Sequence, residues 1–232
     1  MYLKKITLFP QKYPDGDHYP FNLPVLQRTE SITLDSSLTF WVGENGAGKS
    51  TLLRATAKKC GIHIWKDEDK VRFDSNPFEE LLYKFIDVSW TNGRVSGSYF
   101  DSELSRVFAC HLDEWATADP GIFNYFGGKS LLTQSHGQSL LSFFKHRYQI
   151  KGLYLMDEPE TALSPRSQLE LLDFLQKMAQ AGHAQFIIAT HSPILLACPD
   201  AVIYSFDHVP LQRIAYEQTE HYRVYKEFMA NH

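Results

Sequence analysis

A nine-residue glycine-rich segment constrains this chain more than any other feature of its sequence. Residues 43–51 spell Gly-Glu-Asn-Gly-Ala-Gly-Lys-Ser-Thr and match the pattern G-x-x-x-x-G-K-[ST]. Residues 38–42, just before it, are apolar and favour a β-strand, whereas residues 51–57 are compatible with a helix. Glycines between a strand and a helix let backbone N–H groups converge on an anion, because no Cβ stands in the way. The flanking elements therefore favour a nucleotide phosphate-binding loop over a glycine-rich turn that matches by chance.

Each part of this loop has an expected role in binding a nucleoside triphosphate. Lys49 is expected to reach the β- and γ-phosphates, and the Ser50 hydroxyl is expected to ligate Mg²⁺. The helix that follows adds its N-terminal dipole. The predicted phosphate contacts are Gly43, Glu44, Asn45, Gly46, Ala47, Gly48, Lys49, Ser50 and Thr51.

Composition narrows the class of protein. With 232 residues and a 44% hydrophobic fraction, the chain suits a single α/β domain spanning 1–232 or a core that carries an insert. A net charge of −4 does not indicate a strongly basic nucleic-acid surface. The three cysteines lie far apart, which favours a reducing cytosol over a disulfide framework. No run of 18 apolar residues occurs, so we expect a soluble cytoplasmic protein without a membrane span.

Short strands are predicted before the loop, and strands alternating with helices are predicted well after it. Residues 3–9 and 31–34 indicate an antiparallel lead-in. The apolar runs 152–157, 186–190 and 201–206 indicate strands of a mainly parallel sheet that is covered on both faces.

One helix is predicted before the strand at 186–190, and another is predicted after the strand at 201–206. Ser164-Pro165 is a typical helix start, and the helix is expected to end near Gly182. Its buried face is expected to hold Leu169, Leu172, Leu175 and Met178. A terminal helix is predicted over 220–229.

The segment 61–130 is more polar and irregular than the rest, and we interpret it as an inserted arm or subdomain. Within it, residues 77–86 indicate a helix and residues 91–94 a turn.

Two acids close the strand predicted over 152–157. Asp157, placed beside Ser50, is expected to hold Mg²⁺. Glu158 follows directly, and on a strand its side chain points the other way. There it can polarise the attacking water as general base.

Two further positions can contact phosphate. His191 ends the next predicted strand, where its imidazole can donate to a γ-phosphate oxygen. Ser135, Gly137 and Gln138 open a predicted helix and can offer hydroxyl and N–H donors. An ordinary N-cap turn is the alternative for Ser135 when it is considered alone.

In their order along the chain, these segments resemble the ABC-type ATPases, and in particular small soluble ATPases described as AAA-family or ATP-binding proteins. The Asp-Glu-Pro-Glu and Thr-His-Ser-Pro sequences are nearer to the recombination, repair and overcoming-lysogenisation-defect branches than to transporter subunits. The resemblance runs from about 39 to 228, is weak over 61–130, and includes residues 185–197 and 215–223. It implies an α/β P-loop NTPase fold. That fold is an ABC-type ATPase head with a mainly parallel core sheet, an antiparallel N-terminal lead-in and an inserted helical arm.

The resemblance also implies a mechanism, in which two ATP molecules are bound with Mg²⁺ between two head-to-tail copies. Ser135, Gly137 and Gln138 of one copy would face the phosphate loop of the other, forming a homodimer. Glu158 would activate water to release ADP and phosphate, with Lys49 and His191 as further catalytic residues.

Two departures from the family pattern are visible. Residues 51–132 contain no glutamine, so the Q-loop glutamine is missing, and Asn92, Asp101 and Glu103 remain as candidates to replace it. Ser164 stands where the family has an aspartate.

Several functions stay open on sequence alone. The alternatives are an ATP-binding subunit of a membrane transporter, a nucleic-acid-associated repair or defence ATPase, and a non-hydrolysing ATP sensor, which an intact Glu158 disfavours. An unidentified protein partner and nucleic acid are both left open. The adenine contacts are unassigned, with Tyr19 and Phe21 as candidates.

Overall fold

The computed structural model describes residues 1–64, 76–102, 105–126, 128, 130–133, 136–161 and 163–232. The strands of this described part form two sheets. The smaller sheet is antiparallel and has the order β2-β1-β4. Its strands are β1 (Leu3–Leu8), β2 (Ser31–Thr33) and β4 (Ile86–Trp90). The antiparallel lead-in predicted from the first 34 residues is confirmed, and a third strand joins it from the segment 61–130.

The helix predicted over 77–86 is wrong. Residues 77–80 form turns, Leu82–Phe85 form a short 3-10 helix, and Ile86 already belongs to β4. In β4, Ile86, Val88 and Trp90 are more buried than the residues between them. This period of two is the pattern of a strand with one covered face, and pairing with β1 stabilises it over the helical alternative.

The larger sheet has the order β5-β6-β7-β3-β8-β9, and all its neighbouring strands are parallel except the last pair. The strands are β3 (Leu38–Val42), β5 (Gly97–Asp101), β6 (Gly152–Asp157), β7 (Ala184–Ala189), β8 (Val202–Ser205) and β9 (Gln212–Ile214). Strands β3, β6 and β7 are buried along their whole length, as expected of parallel strands covered on both faces. The predicted mainly parallel sheet is therefore confirmed.

Successive side chains of the central strands enter two separate apolar clusters. Leu153 and Leu155 of β6 pack on the side of the small sheet, whereas Tyr154 and Met156 pack on the opposite side. Because side chains alternate along a strand, each face of the sheet receives its own core. The carboxyl ends of β3, β6 and β7 are held between these two cores.

Helices cover both faces of the larger sheet. They are α1 (Pro24–Arg28), α2 (Lys49–Lys59), α3 (Ser105–Ala118), α4 (His136–Arg147), α5 (Pro165–Gln180), α6 (Pro193–Leu196) and α7 (Glu220–Asn231). Helix α2 contributes Leu52 and Leu53 to the cluster facing the small sheet. Helices α4 and α5 contribute Phe144, Leu171 and Leu175 to the other cluster.

The start of α5 is as predicted, and its buried face is as predicted except at Leu169. Ser164 is the N-cap and accepts from the Ser167 N–H, and Pro165 is the first helical residue. Leu171 and Leu175 are fully buried, and Leu172 and Met178 are partly buried against the same cluster, whereas Leu169 is 57% exposed. Positions three apart drift by about 60° per step around a helix of 3.6 residues per turn, so the series of four predicted residues does not stay on one face.

The segment 61–130 contributes to both sheets through β4 and β5 and then turns helical in α3. Its division from the rest as an inserted arm, within a single domain spanning 1–232, stays a prediction. Among the described residues, no helix combines the length and apolar character needed to cross a membrane.

Candidate functional site

The glycine-rich segment forms a loop between β3 and α2, as predicted. Gly43, Gly46 and Gly48 have φ angles of 146°, 81° and 101°, a region that residues with a Cβ rarely adopt. A Cβ at Gly43 would also lie 3.0 Å from Asp207 Oδ1. A Cβ at Gly46 would meet nothing within 4 Å, so the space beside this glycine is open. The first N–H groups of α2, at the end of the loop, have no intrahelical partners, which suits an anion such as a phosphate.

Lys49 lies under this loop and is buried. Its ammonium donates to the carbonyl oxygens of Gly43 at 2.6 Å and Glu44 at 3.0 Å. Burial lowers the pKa of Lys49, and the negative charges of Glu158, Asp157, Asp207 and Glu44 oppose that shift. A poorly hydrated ammonium held by two carbonyls is well placed to exchange them for phosphate oxygens.

Ser50 and Asp157 meet at the carboxyl ends of the central strands, as predicted. The Ser50 hydroxyl donates to Asp157 Oδ1 at 2.9 Å, and the Tyr99 hydroxyl donates to Asp157 Oδ2 at 3.1 Å. Burial raises the pKa of the Asp157 carboxyl to about 6, although the hydrogen bonds from Ser50 and Tyr99 favour its charged form. The nearby Asp101 raises the Asp157 pKa further, and Arg54 lowers it.

Arg54 and Tyr99 lie behind Asp157 and were not identified from the sequence, and they form a hydrogen-bonded set with Asp101. Arg54 of α2 donates to the Tyr99 hydroxyl at 3.2 Å and to Asp101 Oδ2 at 2.7 Å. Asp101 ends β5 in register with Asp157 on the neighbouring strand β6. The available signal was the spacing of Tyr99 and Asp101, which places them on one face of a strand.

The structure distinguishes Asp101 from Asn92 among the three candidates to replace the missing Q-loop glutamine. Asp101 lies beside Asp157 at the carboxyl edge of the sheet, whereas Asn92 lies in the bend that follows β4 of the small sheet. Glu103 lies outside the described residues. Asp101 is therefore the candidate that the fold brings to the phosphate-loop end of the core.

The charged Asp157 side chain should lower the free energy of unfolding at neutral pH, and an Asp157→Asn variant tests this. A carboxyl whose pKa rises from 3.8 to about 6 on folding binds protons more tightly in the native state. Its neutral form therefore stabilises the fold below about pH 4, and this contribution is lost as the pH rises through 6. At pH 7.5 in EDTA we expect Asp157→Asn to raise the free energy of unfolding by up to about 3 kcal/mol. One pKa unit corresponds to about 1.36 kcal/mol. Thermal unfolding at pH 7.5 and pH 4 measures this gain, and an equal gain at both values would contradict the account.

Glu158 lies just beyond β6, and the strand argument used to orient it does not hold. Its φ angle is 46°, in the left-handed region, because the strand ends at Asp157. This backbone is strained for a residue with a Cβ, and such strain is concentrated at functional sites. The side chain nevertheless faces another predicted catalytic residue, with Glu158 Oε1 3.6 Å from His191 Nε2.

His191 follows β7 and is held from two sides. Its backbone N–H donates to Glu160 Oε1 at 2.6 Å, and its Nδ1 lies 3.0 Å from Nε2 of His221. Burial lowers the pKa of His191, and the charge of Lys49 acts in the same direction. The imidazole is therefore neutral near pH 7, with one ring nitrogen as donor and the other as acceptor.

The structure supports the remaining predicted contacts to phosphate and adenine less fully. Ser135 lies outside the described residues. Gly137 and Gln138 lie in the first turn of α4, and the described hydrogen bonds of the phosphate loop do not include either of them. Phe21 is fully buried against Tyr13, Phe78 and Phe85, which removes it as an adenine contact.

The residues at this edge fit ATP and Mg²⁺. The Ser50 hydroxyl and the Asp157 carboxylate supply the oxygen ligands that Mg²⁺ prefers. No cluster of three or more His, Cys, Asp or Glu side chains that could hold a metal occurs among the described residues. A magnesium ion held by one or two protein oxygens, with phosphate and water oxygens completing its octahedron, is the usual arrangement at nucleotide sites.

Two sequence matches relate this chain to known proteins. Residues 139–197 match the sequence family described as "AAA domain, putative AbiEii toxin, Type IV TA system". A thiamine import ATP-binding protein from Ruegeria sp. (strain TM1040) is 25% identical over 189 residues, covering 72% of this chain and 76% of the relative.

Solved structures agree with the sequence matches. The chain is similar to "An inward-facing conformation of a putative metal-chelate type ABC transporter", with a TM-score of 0.52, 20% identity, and coverage of 84% of this chain and 79% of the other. It is also similar to an SmcHead bound to the C-winged helix domain of ScpA, with a TM-score of 0.54, 13% identity, and coverage of 92% and 98%. The chain thus shares the fold of these ABC transporter and SMC head structures, and the predicted fold class is confirmed.

Proposed function

We propose that this chain, a P-loop ATPase of the ABC and AAA class by fold and by sequence match, hydrolyses ATP to ADP and phosphate with Mg²⁺. Two copies of the chain enclose the nucleotide. The observation that carries the proposal is the convergence of Lys49, Ser50, Asp157, Glu158 and His191 on the open side of one phosphate loop. The 2.9 Å bond between Ser50 and Asp157 supports it, because it places two oxygen atoms side by side that could ligate a nucleotide-bound cation.

Each residue has a role that follows from its position. The loop N–H groups and the N-terminus of α2 bind the phosphates, and Lys49 neutralises the β- and γ-phosphate oxygens. Ser50 and Asp157 would hold Mg²⁺, which would neutralise part of the phosphate charge when bound. Glu158 accepts a proton from the attacking water, and the N–H of His191 orients Glu158 and the γ-phosphate.

The second copy is proposed because the described hydrogen bonds of the phosphate loop include neither Gly137 nor Gln138, which the family resemblance assigns to phosphate binding. In ABC-type ATPases the open side of the site is covered by the Ser-x-Gly-Gln sequence of a partner, which here is Ser135, Gly137 and Gln138. Gln138 is exposed at the start of α4, where a helix N-terminus can donate to a phosphate of another copy.

Phosphate release with ATP, measured against protein concentration, tests the proposal. We expect release that requires Mg²⁺ and stops in EDTA. If two chains form each site, activity per chain rises with protein concentration until the dimer saturates. Release that is absent with Mg²⁺ would refute the ATPase, and activity per chain that is independent of concentration would refute assembly by ATP.

Tyr19 is the candidate adenine contact that the structure leaves available. Its side chain is 38% exposed, and its hydroxyl is 2.5 Å from the Thr51 hydroxyl in the first turn of α2. We expect Tyr19→Ala to weaken ATP binding about tenfold, since stacking contributes about 1–3 kcal/mol per base, whereas Tyr19→Phe retains most of the affinity.

Calorimetric titration with ATP and with inorganic tripolyphosphate measures this effect. Tripolyphosphate lacks the base, so its affinity should be the same in Tyr19→Ala and in the unaltered protein. Tyr225→Ala, which removes an exposed tyrosine of α7, is the matched control. Equal losses for both ligands would place Tyr19 at the phosphates instead of the base.

A transporter subunit is the second candidate, favoured by the similarity to a thiamine import ATP-binding protein. Against it stand the missing Q-loop glutamine and the Asp-Glu-Pro-Glu sequence. Co-purification of the chain with a membrane permease would support it, and a chain that is fully active and recovered without a membrane protein would oppose it. A third candidate, the nucleic-acid-associated ATPase, predicts hydrolysis that DNA stimulates in a salt-dependent way.

A further inference from the structure

The segment 215–223, which the mechanism above does not use, is held against the loop that carries His191. The Tyr216 hydroxyl donates to the carbonyl of Pro193, two residues beyond His191, at 3.0 Å. Thr219 is buried and caps α7, accepting from the Tyr222 N–H at 3.2 Å and donating to the Tyr216 carbonyl at 2.7 Å. These bonds fix the first turn of α7, and with it the position of His221.

His221 makes a specific hydrogen bond with His191. Its Nε2 lies 3.0 Å from Nδ1 of His191, so one of the two nitrogens carries the shared proton. Burial lowers the pKa of both histidines, and Lys49 lowers each of them further. Both rings are therefore neutral near pH 7, and each has one donor and one acceptor nitrogen.

The direction of this bond follows from the other side of His191. Its Nε2 is buried, lacks a hydrogen-bond partner among the described residues, and faces Glu158 Oε1 at 3.6 Å. A carboxylate only accepts hydrogen bonds, so a protonated Nε2 is favoured there. Nδ1 of His191 is then the acceptor, and His221 Nε2–H is the donor.

We infer that His221 is a positioning residue that holds His191 in the Nε2–H tautomer and aims that N–H at Glu158 and the γ-phosphate. The inference rests on the proposed ATPase function. The bond from the His191 backbone to Glu160 fixes the main chain but leaves the ring free to turn about its own bond. The contact with His221 removes that freedom, as the groups that orient metal-bound histidines do.

Two substitutions at His221 distinguish a role as hydrogen-bond donor from a role in packing alone. His221→Gln retains an amide N–H near the position of Nε2, whereas His221→Leu fills the space without a donor. In steady-state hydrolysis we expect His221→Leu to lower kcat about tenfold with KM for ATP nearly unchanged, and His221→Gln to recover most of kcat. His232→Leu, at the exposed end of α7, is the control and should match the unaltered protein.

The ¹⁵N chemical shifts of the His191 ring measure the tautomer directly, with the signals assigned by their loss in His191→Gln. We expect a protonated Nε2 and an unprotonated Nδ1 in the unaltered protein, and a mixture of tautomers in His221→Leu. A protonated Nδ1 in the unaltered protein, or an unaltered kcat in His221→Leu, would overturn the inference. If His221→Leu does not fold, His221→Gln and the tautomer of the unaltered protein decide.

The two proposals fail in different ways. If the unaltered protein releases no phosphate, the ATPase proposal fails, and the ¹⁵N shifts still show whether His221 orients His191. If it releases phosphate at the same rate with and without the His221 donor, the ATPase stands and the role of His221 fails.

Discussion

Replacing Lys49 with alanine should weaken ATP binding about 100-fold and remove hydrolysis. The Lys49 ammonium is buried under the loop, held by the carbonyls of Gly43 and Glu44. Its removal leaves the β- and γ-phosphates in a partly dry site without their positive partner. Removing one member of a buried charge pair costs about 2–5 kcal/mol, and about 3 kcal/mol corresponds to a factor of about 100 in affinity.

Calorimetric titration with ATP and Mg²⁺ measures this loss, and phosphate release measures the activity. Lys59→Ala is a matched control because Lys59 lies at the end of the same helix. It contacts Asp87 at 3.5 Å on the surface, an interaction worth under about 1 kcal/mol. Thermal unfolding without ATP should show that Lys49→Ala stays folded. Unchanged ATP affinity in Lys49→Ala would mean that the loop does not bind the phosphates.

Replacing Glu158 with glutamine should lower kcat by about 100-fold or more while ATP still binds. Glutamine has nearly the same shape but does not accept a proton from water, and general base catalysis contributes about 10²–10⁴ in rate. The ligands of the phosphates and of Mg²⁺ are all other residues, so ATP affinity should change little.

Single-turnover phosphate release, with ATP affinity measured in parallel, tests whether hydrolysis slows while ATP binding is retained. Glu170→Gln is the control, because Glu170 lies on the surface of α5 in a pair with Lys145. A Glu158→Gln protein that hydrolyses ATP at the normal rate would transfer the role of base to another group.

The phosphate loop and the acid pair could be predicted because their signals are local. The loop depends on a strand, a run of glycines and a helix that are adjacent in the chain. Asp157 and His191 could be placed because the carboxyl ends of parallel strands meet at one edge of the sheet. The left-handed backbone of Glu158 could not be predicted, since nothing in its neighbours requires that conformation.

The supporting contacts could not be predicted because they join residues far apart in the chain. Arg54 reaches Asp101 across 47 positions, and His191 reaches His221 across 30. Each of these side chains has an ordinary alternative as a surface or core residue. The helix predicted over 77–86 was wrong for a related reason, since Ile86 begins a strand that pairs with β1 and that pairing is not visible locally.

The mass of Glu158→Gln in solution shows whether ATP assembles two copies of the chain. Size-exclusion chromatography with light scattering, at saturating ATP and Mg²⁺, should give twice the 26.7 kDa of one chain, because bound ATP is not consumed. The same protein without nucleotide, and the Lys49→Ala, Glu158→Gln double variant with nucleotide, should elute as single chains. A Glu158→Gln protein that binds ATP and remains a single chain would contradict the account.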